Sequence, residues 1–342
     1  MIKKKLFLVL IAIVGISSTA FAQDPQFSQF YANPLYLNPA LVGGENCPRL
    51  TMNYRNQWPN LPGTFVTNSV SLDQNIESIH GGLGVSILND NAGQGAITTT
   101  QVSAAYSYQL RVSKKFTIQA GFQVTYNQRN LDKNKLSFGD EIDSQFGFIH
   151  PTKEDLKSLQ DNINYTDVSI GFIGFTERFF AGFALHHLNQ PGDAFFEDFA
   201  TPNGGGLVEA DSQLPAKLTV HAGANIPYGK NVRKGVIGNS PFITPGILYQ
   251  TQSGADQMNY GLSITNNSVS GGVWYRSSSE NADAILLVAG YEVGIYRIGY
   301  SYDYTVSKLS DTTGGAHELS LRIKLPCREK GKKLRAIKCP KF

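Results

Sequence analysis

Beyond residue 22 the sequence contains no stretch approaching the ~18 uninterrupted apolar residues of a membrane-crossing helix, which excludes a helical membrane protein. Cysteine is scarce: the 342 residues hold three, so one bridge within the chain leaves a thiol over. None of the three directly follows the expected signal cleavage site, which argues against a lipid anchor. Catalytic and cofactor motifs are missing as well. The six histidines (His80, His150, His186, His187, His221, His317) form no H-E-x-x-H or comparable ligand spacing, and there is no Walker A loop and no G-x-S-x-G elbow. His317 and Ser320 alternate to opposite sides of one strand pattern, so they do not converge as a base and nucleophile would. The chain is therefore expected not to be an enzyme and to need no cofactor and no metal. Asp140, Glu141 and Asp143 could suit a calcium ion, but a solvated loop face accounts for them more simply. His186 and His187 are expected to serve in loop packing or partner contact.

What is present begins with an export signal. Lys3, Lys4 and Lys5 precede the apolar Leu6–Gly15, and Ala20-Phe21-Ala22 reads as a cleavage site, so residues 1–22 are expected to be a signal peptide and Gln23 the mature start. The mature chain is rich in residues that favour strands and turns, with 34 Gly, 16 Tyr and 20 Phe in the full sequence. Charge is uneven. The tail after Cys327 holds seven basic residues against Glu329, whereas the body before it is acidic.

Periodicity settles the class of local structure. In residues 115–128 the apolar or aromatic Phe116, Ile118, Ala120, Phe122, Val124 and Tyr126 alternate with Thr117, Gln119, Gly121, Gln123, Thr125 and Asn127. Residues 102–110, 217–226 and 316–325 repeat the pattern. Strands are expected near 49–57, 65–73, 81–89, 96–110, 114–128, 166–175, 178–187, 217–226, 242–252, 257–265, 269–277, 283–290, 293–304 and 316–325. Fourteen is an even number, so both termini fall on one side. The long connections 129–165, 188–216 and 305–315 all fall on the other, with 227–241 the single long exception. Short periplasmic turns and long outer loops are the signature of an outer-membrane barrel, both termini periplasmic. Tyr106, Tyr108, Tyr296, Tyr300, Tyr302 and Tyr304 suit its interfacial girdles. Inward positions of Thr, Gln, Ser, Asn and Gly imply a polar, obstructed lumen. "GGLG" at 81–84 reads as a strand start where glycine permits close backbone approach.

Several long segments carry a resemblance. They are "DPQFSQFYANPLYLNPALVGG" (24–44), "YRNQWP" (54–59), "NDNAGQGAITTTQVSAAYSY" (89–108), "HHLNQP" (186–191), "GGVWYR" (271–276), "RIGYSYDYTVSKLS" (297–310) and "GGAHELSLR" (314–322). Colinear along essentially the whole mature chain, they resemble the PorP/SprF family of type IX secretion system outer-membrane proteins, and the "CPKF" ending is similar to the SprF-like, gliding-associated branch. The resemblance implies an outer-membrane β-barrel that associates with a large type IX-secreted surface adhesin and helps export or anchor it, alongside periplasmic or outer-membrane secretion and gliding components. It implies no nucleic acid and offers no catalytic residue to carry over. A plugged transporter for small hydrophobic solutes is the alternative.

The organisation expected is thus a signal peptide (1–22), a plug or rim segment (23–46), an outer-membrane barrel (47–326) and a basic periplasmic tail (327–342). Two Asn-Pro pairs remove N–H donors at Pro34 and Pro39, so the second segment cannot join a ladder, yet Phe27, Phe30, Tyr31, Leu35, Tyr36 and Leu37 need burial. A fourteen-stranded lumen has room for them, and the segment is expected to plug its periplasmic half. Of the disulfide pairings, Cys327–Cys339 is favoured, with Cys47–Cys327 and Cys47–Cys339 behind it. In the loop 188–216, Asp193, Glu197 and Asp198 surround Phe195, Phe196 and Phe199, a mixture suited to contact with a basic partner surface. The competing expectation is that these phenylalanines fold back over the barrel mouth.

Overall fold

The computed structural model describes residues 24–326 apart from 144, 146, 154–155, 157–158, 196–198, 201–206, 209–212, 230–240, 280–282 and 307–312. Fourteen strands form the wall: β1 (Arg49–Gln57), β2 (Phe65–Ile76), β3 (Gly81–Ala92), β4 (Ile97–Arg111), β5 (Thr117–Leu131), β6 (Asn162–Phe175), β7 (Phe179–His186), β8 (Lys217–Ala224), β9 (Phe242–Gln252), β10 (Ala255–Asn266), β11 (Val269–Ser278), β12 (Ala284–Val293), β13 (Tyr296–Thr305) and β14 (Ala316–Lys324). Each pairs antiparallel with the next, and β14 pairs with β1 from Lys324↔Arg49 to Ala316↔Gln57, so the sheet closes without an edge. Closure satisfies the backbone groups that lipid cannot, which is how a barrel crosses a bilayer although no helix among the described residues is long and apolar enough to do so.

Alternation sorts each strand into a lipid side and a lumen side. Along β5, Gln119, Gln123, Thr125 and Asn127 are buried while Phe122, Val124 and Tyr126 are exposed on the outer wall. Tyr106, Tyr108, Tyr296, Tyr300 and Tyr304 face outward as expected of a girdle. One end of the barrel carries both chain ends of the wall and the connections 77–80, 112–116, 176–178, 225–241, 267–268 and 294–295; we call it the termini end. The other, the loop end, carries 132–161 and 187–216. It also carries one two-residue turn at Ser253–Gly254, where both φ angles are positive (53° and 79°), the geometry that lets a right-twisted hairpin close tightly.

The lumen corrects one expectation. Its wall is polar along β2–β5, where Ser69, Ser71, Ser103, Ser107, Gln119 and Gln123 point inward. Across β6, β7, β9, β11 and β12, however, Ile173, Phe175, Phe180, Leu248, Trp274, Leu286 and Val288 point inward and bury with Phe30, Tyr31, Leu37 and Leu41 of the N-terminal segment in one cluster. A barrel core therefore exists, and the segment preceding β1 completes it.

Candidate functional site

Residues 24–44 lie inside the lumen. Three short turns shape them: Phe30–Ala32, the one-turn helix Pro34–Leu37, and Pro39–Leu41. The two Asn-Pro pairs explain these turns. Each proline sits at the first helical position, where a missing N–H costs nothing. Asn38 caps the last turn by accepting a hydrogen bond from Ala40 N at 2.9 Å. The same side chain donates to the carbonyls of Phe172 and Phe183, so one residue both shapes the plug and ties it to β6 and β7.

The plug reaches further than the termini-end half expected from sequence. Gly43 N donates to Asp73 near the termini end, while Asp24 meets Lys217 and His187 at the loop end of β8 and β7. Phe27, Phe30, Tyr31, Pro34 and Pro39 are buried and Tyr36 is half-buried, its hydroxyl donating to Pro25 O. Phe30 meets Trp274 edge-on at 5.0 Å, and Tyr31 meets Phe180 edge-on at 5.8 Å.

Three charged latches fasten it. Near the loop ends of β1, β11, β13 and β14, Ser28 Oγ donates to Asp303 (2.6 Å) and accepts from Arg55 (2.6 Å) and Arg276 (2.9 Å). Both guanidiniums also hold Asp303 at 3.0 Å, and Arg55 reaches Glu318 at 3.3 Å. Glu318 in turn accepts the Ser28 and Gln29 backbone N–H groups at 2.7 and 3.1 Å. At the termini end Arg49 grips Asp73 through two 2.8 Å bonds, and Asp73 Oδ2, which takes one of them, also accepts from Gly43 N. At the loop end His187 lies between Asp24 (2.8 Å) and Asp167 (3.0 Å). His187 is thus a plug contact rather than a loop-packing or partner residue, and His186 faces the lumen beside Ser169.

The loop-end latch is tuned by charge. Burial pushes the His187 imidazole down, but Asp24 and Asp167 outweigh it and raise it to about 10. Burial pushes Asp24 up, but His187 and Lys217 outweigh that and hold it well below the usual carboxylate range. A raised histidine stabilises the fold fully below its ordinary value of 6.5 and loses that contribution as pH climbs toward about 10. A depressed carboxylate contributes above its ordinary 3.8 and loses it only in stronger acid. The latch is therefore strongest between these two ordinary values. Bilayer recordings should be quiet at pH 5–6 and show brief openings that grow as pH rises toward 10, while His187→Gln should open already at neutral pH. Identical traces for the two proteins across that range would remove His187 as a latch.

Close backbone approach also holds the plug. A Cβ at Gly121 of β5 would collide with the Pro39–Ala40 backbone, and one at Gly171 of β6 with the Asn38 side chain. Gly121→Val should leave the outward face of β5 untouched yet unseat the plug, making residues 24–44 cleavable by added protease in the detergent-extracted barrel. Unchanged protease resistance would show that the plug can shift to accommodate a side chain there.

Above the plug, at the loop end, lies a cavity of about 450 Å³. Its floor is Asp24–Gln26, and its walls include Trp58, Phe65, Asp90, Arg129 and Tyr165. Arg129 pairs with Asp193 and stacks over the Phe195 ring at 5.2 Å, so two residues expected to face a partner fold back onto the barrel. Phe196, Glu197 and Asp198 lie outside the described residues, and of Phe199 only the backbone, paired with Val208, is described. Cys47 is disulfide-bonded, and with three cysteines in the chain its partner is one of the other two; the favoured Cys327–Cys339 bond is thereby excluded. Cys327 and Cys339 themselves lie outside the described residues, as does the basic tail. Asp140 accepts from Thr152 Oγ1 and Lys153 N, and among the described residues no three His, Cys, Asp or Glu side chains gather as a metal site. Sequence reading missed Arg55, Arg276, Asp303 and Glu318. Their signal was a charge at an inward position of an otherwise apolar-alternating strand.

A family described as type IX secretion system membrane protein PorP/SprF matches residues 19–323. Among solved structures, the Pseudomonas putida toluene transporter TodX is 9% identical, with 89% of this chain and 93% of that chain covered and a TM-score of 0.47. The Acinetobacter baumannii outer membrane protein Omp33 is 8% identical, with 83% and 100% covered and a TM-score of 0.43. No curated protein matches the chain.

Proposed function

The chain belongs to the PorP/SprF family of type IX secretion system membrane proteins, and from that premise we propose that it docks a large type IX-secreted surface adhesin at the loop end of an outer-membrane barrel, aiding its export or anchoring. The termini end then faces the periplasm and the loop end the exterior, the arrangement in which the long connections are extracellular. The observation that carries this reading is the filled lumen. Gln29, Asn38, Ala40 and Val42 are fully buried inside the wall, which supports a filled lumen whose accessible chemistry is at the rims. Gliding motility as the setting follows from the SprF-like ending and from nothing else on the molecule. A transporter of small hydrophobic solutes is the second reading. It requires the plug to leave an apolar cluster and three ion latches, and it would still leave a strongly polar wall along β2–β5.

The outer loop offers the direct test. Phe195→Ser, Phe196→Ser and Phe199→Ser together should leave a heat-modifiable, inserted barrel but release the surface protein into the medium. An adhesin that stays on cells carrying normal levels of the variant would move the contact elsewhere, with 129–165 the next segment to cut. Loss of growth on a hydrophobic solute, with adhesin display intact, would favour the transporter.

A further inference from the structure

Three segments remote in sequence meet in the loop-end cavity. Asp24, Pro25 and Gln26 form its floor, Gln57 ends β1 and Trp58 follows it, and Asp90, Ala92, Ile97, Thr99 and Gln101 come from β3 and β4. The cavity's charges are not balanced. Asp24 is held by His187 and Lys217, and Arg129 is held by Asp193. Asp90 accepts a 2.6 Å hydrogen bond from Thr67 Oγ1, and Arg129 in the same cavity attracts it while Asp24 repels it, but the ion pair Arg129 makes is with Asp193. A carboxylate turned into a partly enclosed space whose one lining cation is paired with another carboxylate is costly unless a further cation arrives.

The wall beside it is aromatic. Trp58 stands edge-on to Phe65 at 5.7 Å, and its backbone is held at φ 57° by a 2.8 Å bond from its N–H to Gly315 O. Positive φ is a strained state for so bulky a residue, and such strain persists where surrounding structure enforces a particular placement. Around these groups stand the amides Gln26, Gln57, Gln101 and Gln257, able to donate to and accept from a peptide backbone.

We propose that this cavity is a receptor for a lysine or arginine side chain on an extended polypeptide segment of the docked surface protein, with Asp90 as the counter-charge and the Trp58–Phe65 wall against the aliphatic stem. A cation between a carboxylate and an aromatic face gains from both, and both gains grow as water leaves. A volume of about 450 Å³ admits a few residues rather than a folded domain, so the segment enters as a protruding loop or end. The inference deepens the docking reading above by naming the chemistry that the partner presents.

The test uses the full-length detergent-extracted barrel and a seven-residue blocked peptide with one central lysine, titrated by calorimetry. Parallel titrations use the same peptide with norleucine at the centre, and spermidine. The lysine peptide should bind saturably, and both the norleucine peptide and Asp90→Asn should weaken binding about tenfold or more. Asp140→Asn, in an exposed loop, should leave it unchanged. Equal binding of the norleucine peptide, unaltered binding by a heat-modifiable Asp90→Asn, or no saturation would overturn the site. Spermidine binding as tightly as the peptide would overturn the polypeptide assignment. If the peptide binds as expected while the surface protein is absent from the purified barrel, the docking reading fails and the site stands; if the surface protein co-purifies equally with Asp90→Asn, the docking reading stands and the site falls.

Discussion

A chain lacking residues 24–44 is expected to insert as a heat-modifiable barrel and to conduct ions steadily in planar bilayers, where the full-length chain is closed. The wall should survive because its ladders run from strand to strand all the way round and the plug contributes to none of them. The closed state should not, because the plug reaches from Gly43 at one end to Asp24 at the other and its central residues are wholly buried. Removing it leaves the polar side chains of β2–β5 facing water, which they tolerate, and strands the apolar patch around Trp274, Leu248 and Phe180, which they do not cover. Some loss of thermal stability should therefore accompany the gain in conductance. An inserted variant that remains closed would mean that the loops, not the plug, seal the barrel.

Asp303→Ala is expected to be among the most destabilising single changes in the molecule, costing ~3–5 kcal/mol, because it removes one member of a buried ion network and leaves its partners charged. Asp303 is 3% exposed and neutralises Arg276 and Arg55 at once. Arg55 keeps Glu318 in the variant, but Arg276 loses its ion pair and Ser28 its acceptor. The effect should be read as a lowered midpoint of denaturant unfolding in detergent, together with faster proteolysis of the plug. Combining Asp303→Leu with Arg276→Met should cost less than Asp303→Ala alone, since no buried charge is then orphaned. A single variant no weaker than Asp140→Ala, which touches only an exposed loop, would show that the network does not fasten the plug.

Much of this protein follows from its sequence because the relevant physics is local. Alternation at period two sets which side chain faces lipid, so the fourteen strands and their order could be read from residues such as Phe122, Val124 and Tyr126 against Gln123 and Thr125. Proline geometry is local too, and Pro34 and Pro39 were enough to keep residues 24–44 out of the ladder. What the tertiary structure alone decided depends on closure. Arg55 and Glu318 lie far apart in the chain and become cross-strand neighbours only when β14 meets β1, and Asp303 of β13 and Arg276 of β11 join them along the same stretch of wall. Which inward positions turn apolar, how deep the plug reaches, that His187 meets Asp24 rather than a partner, and that Cys47 takes part in the disulfide all follow from the same cause: a barrel brings inward residues of non-neighbouring strands onto one small object, and period-two patterning says that they point inward without saying what they meet.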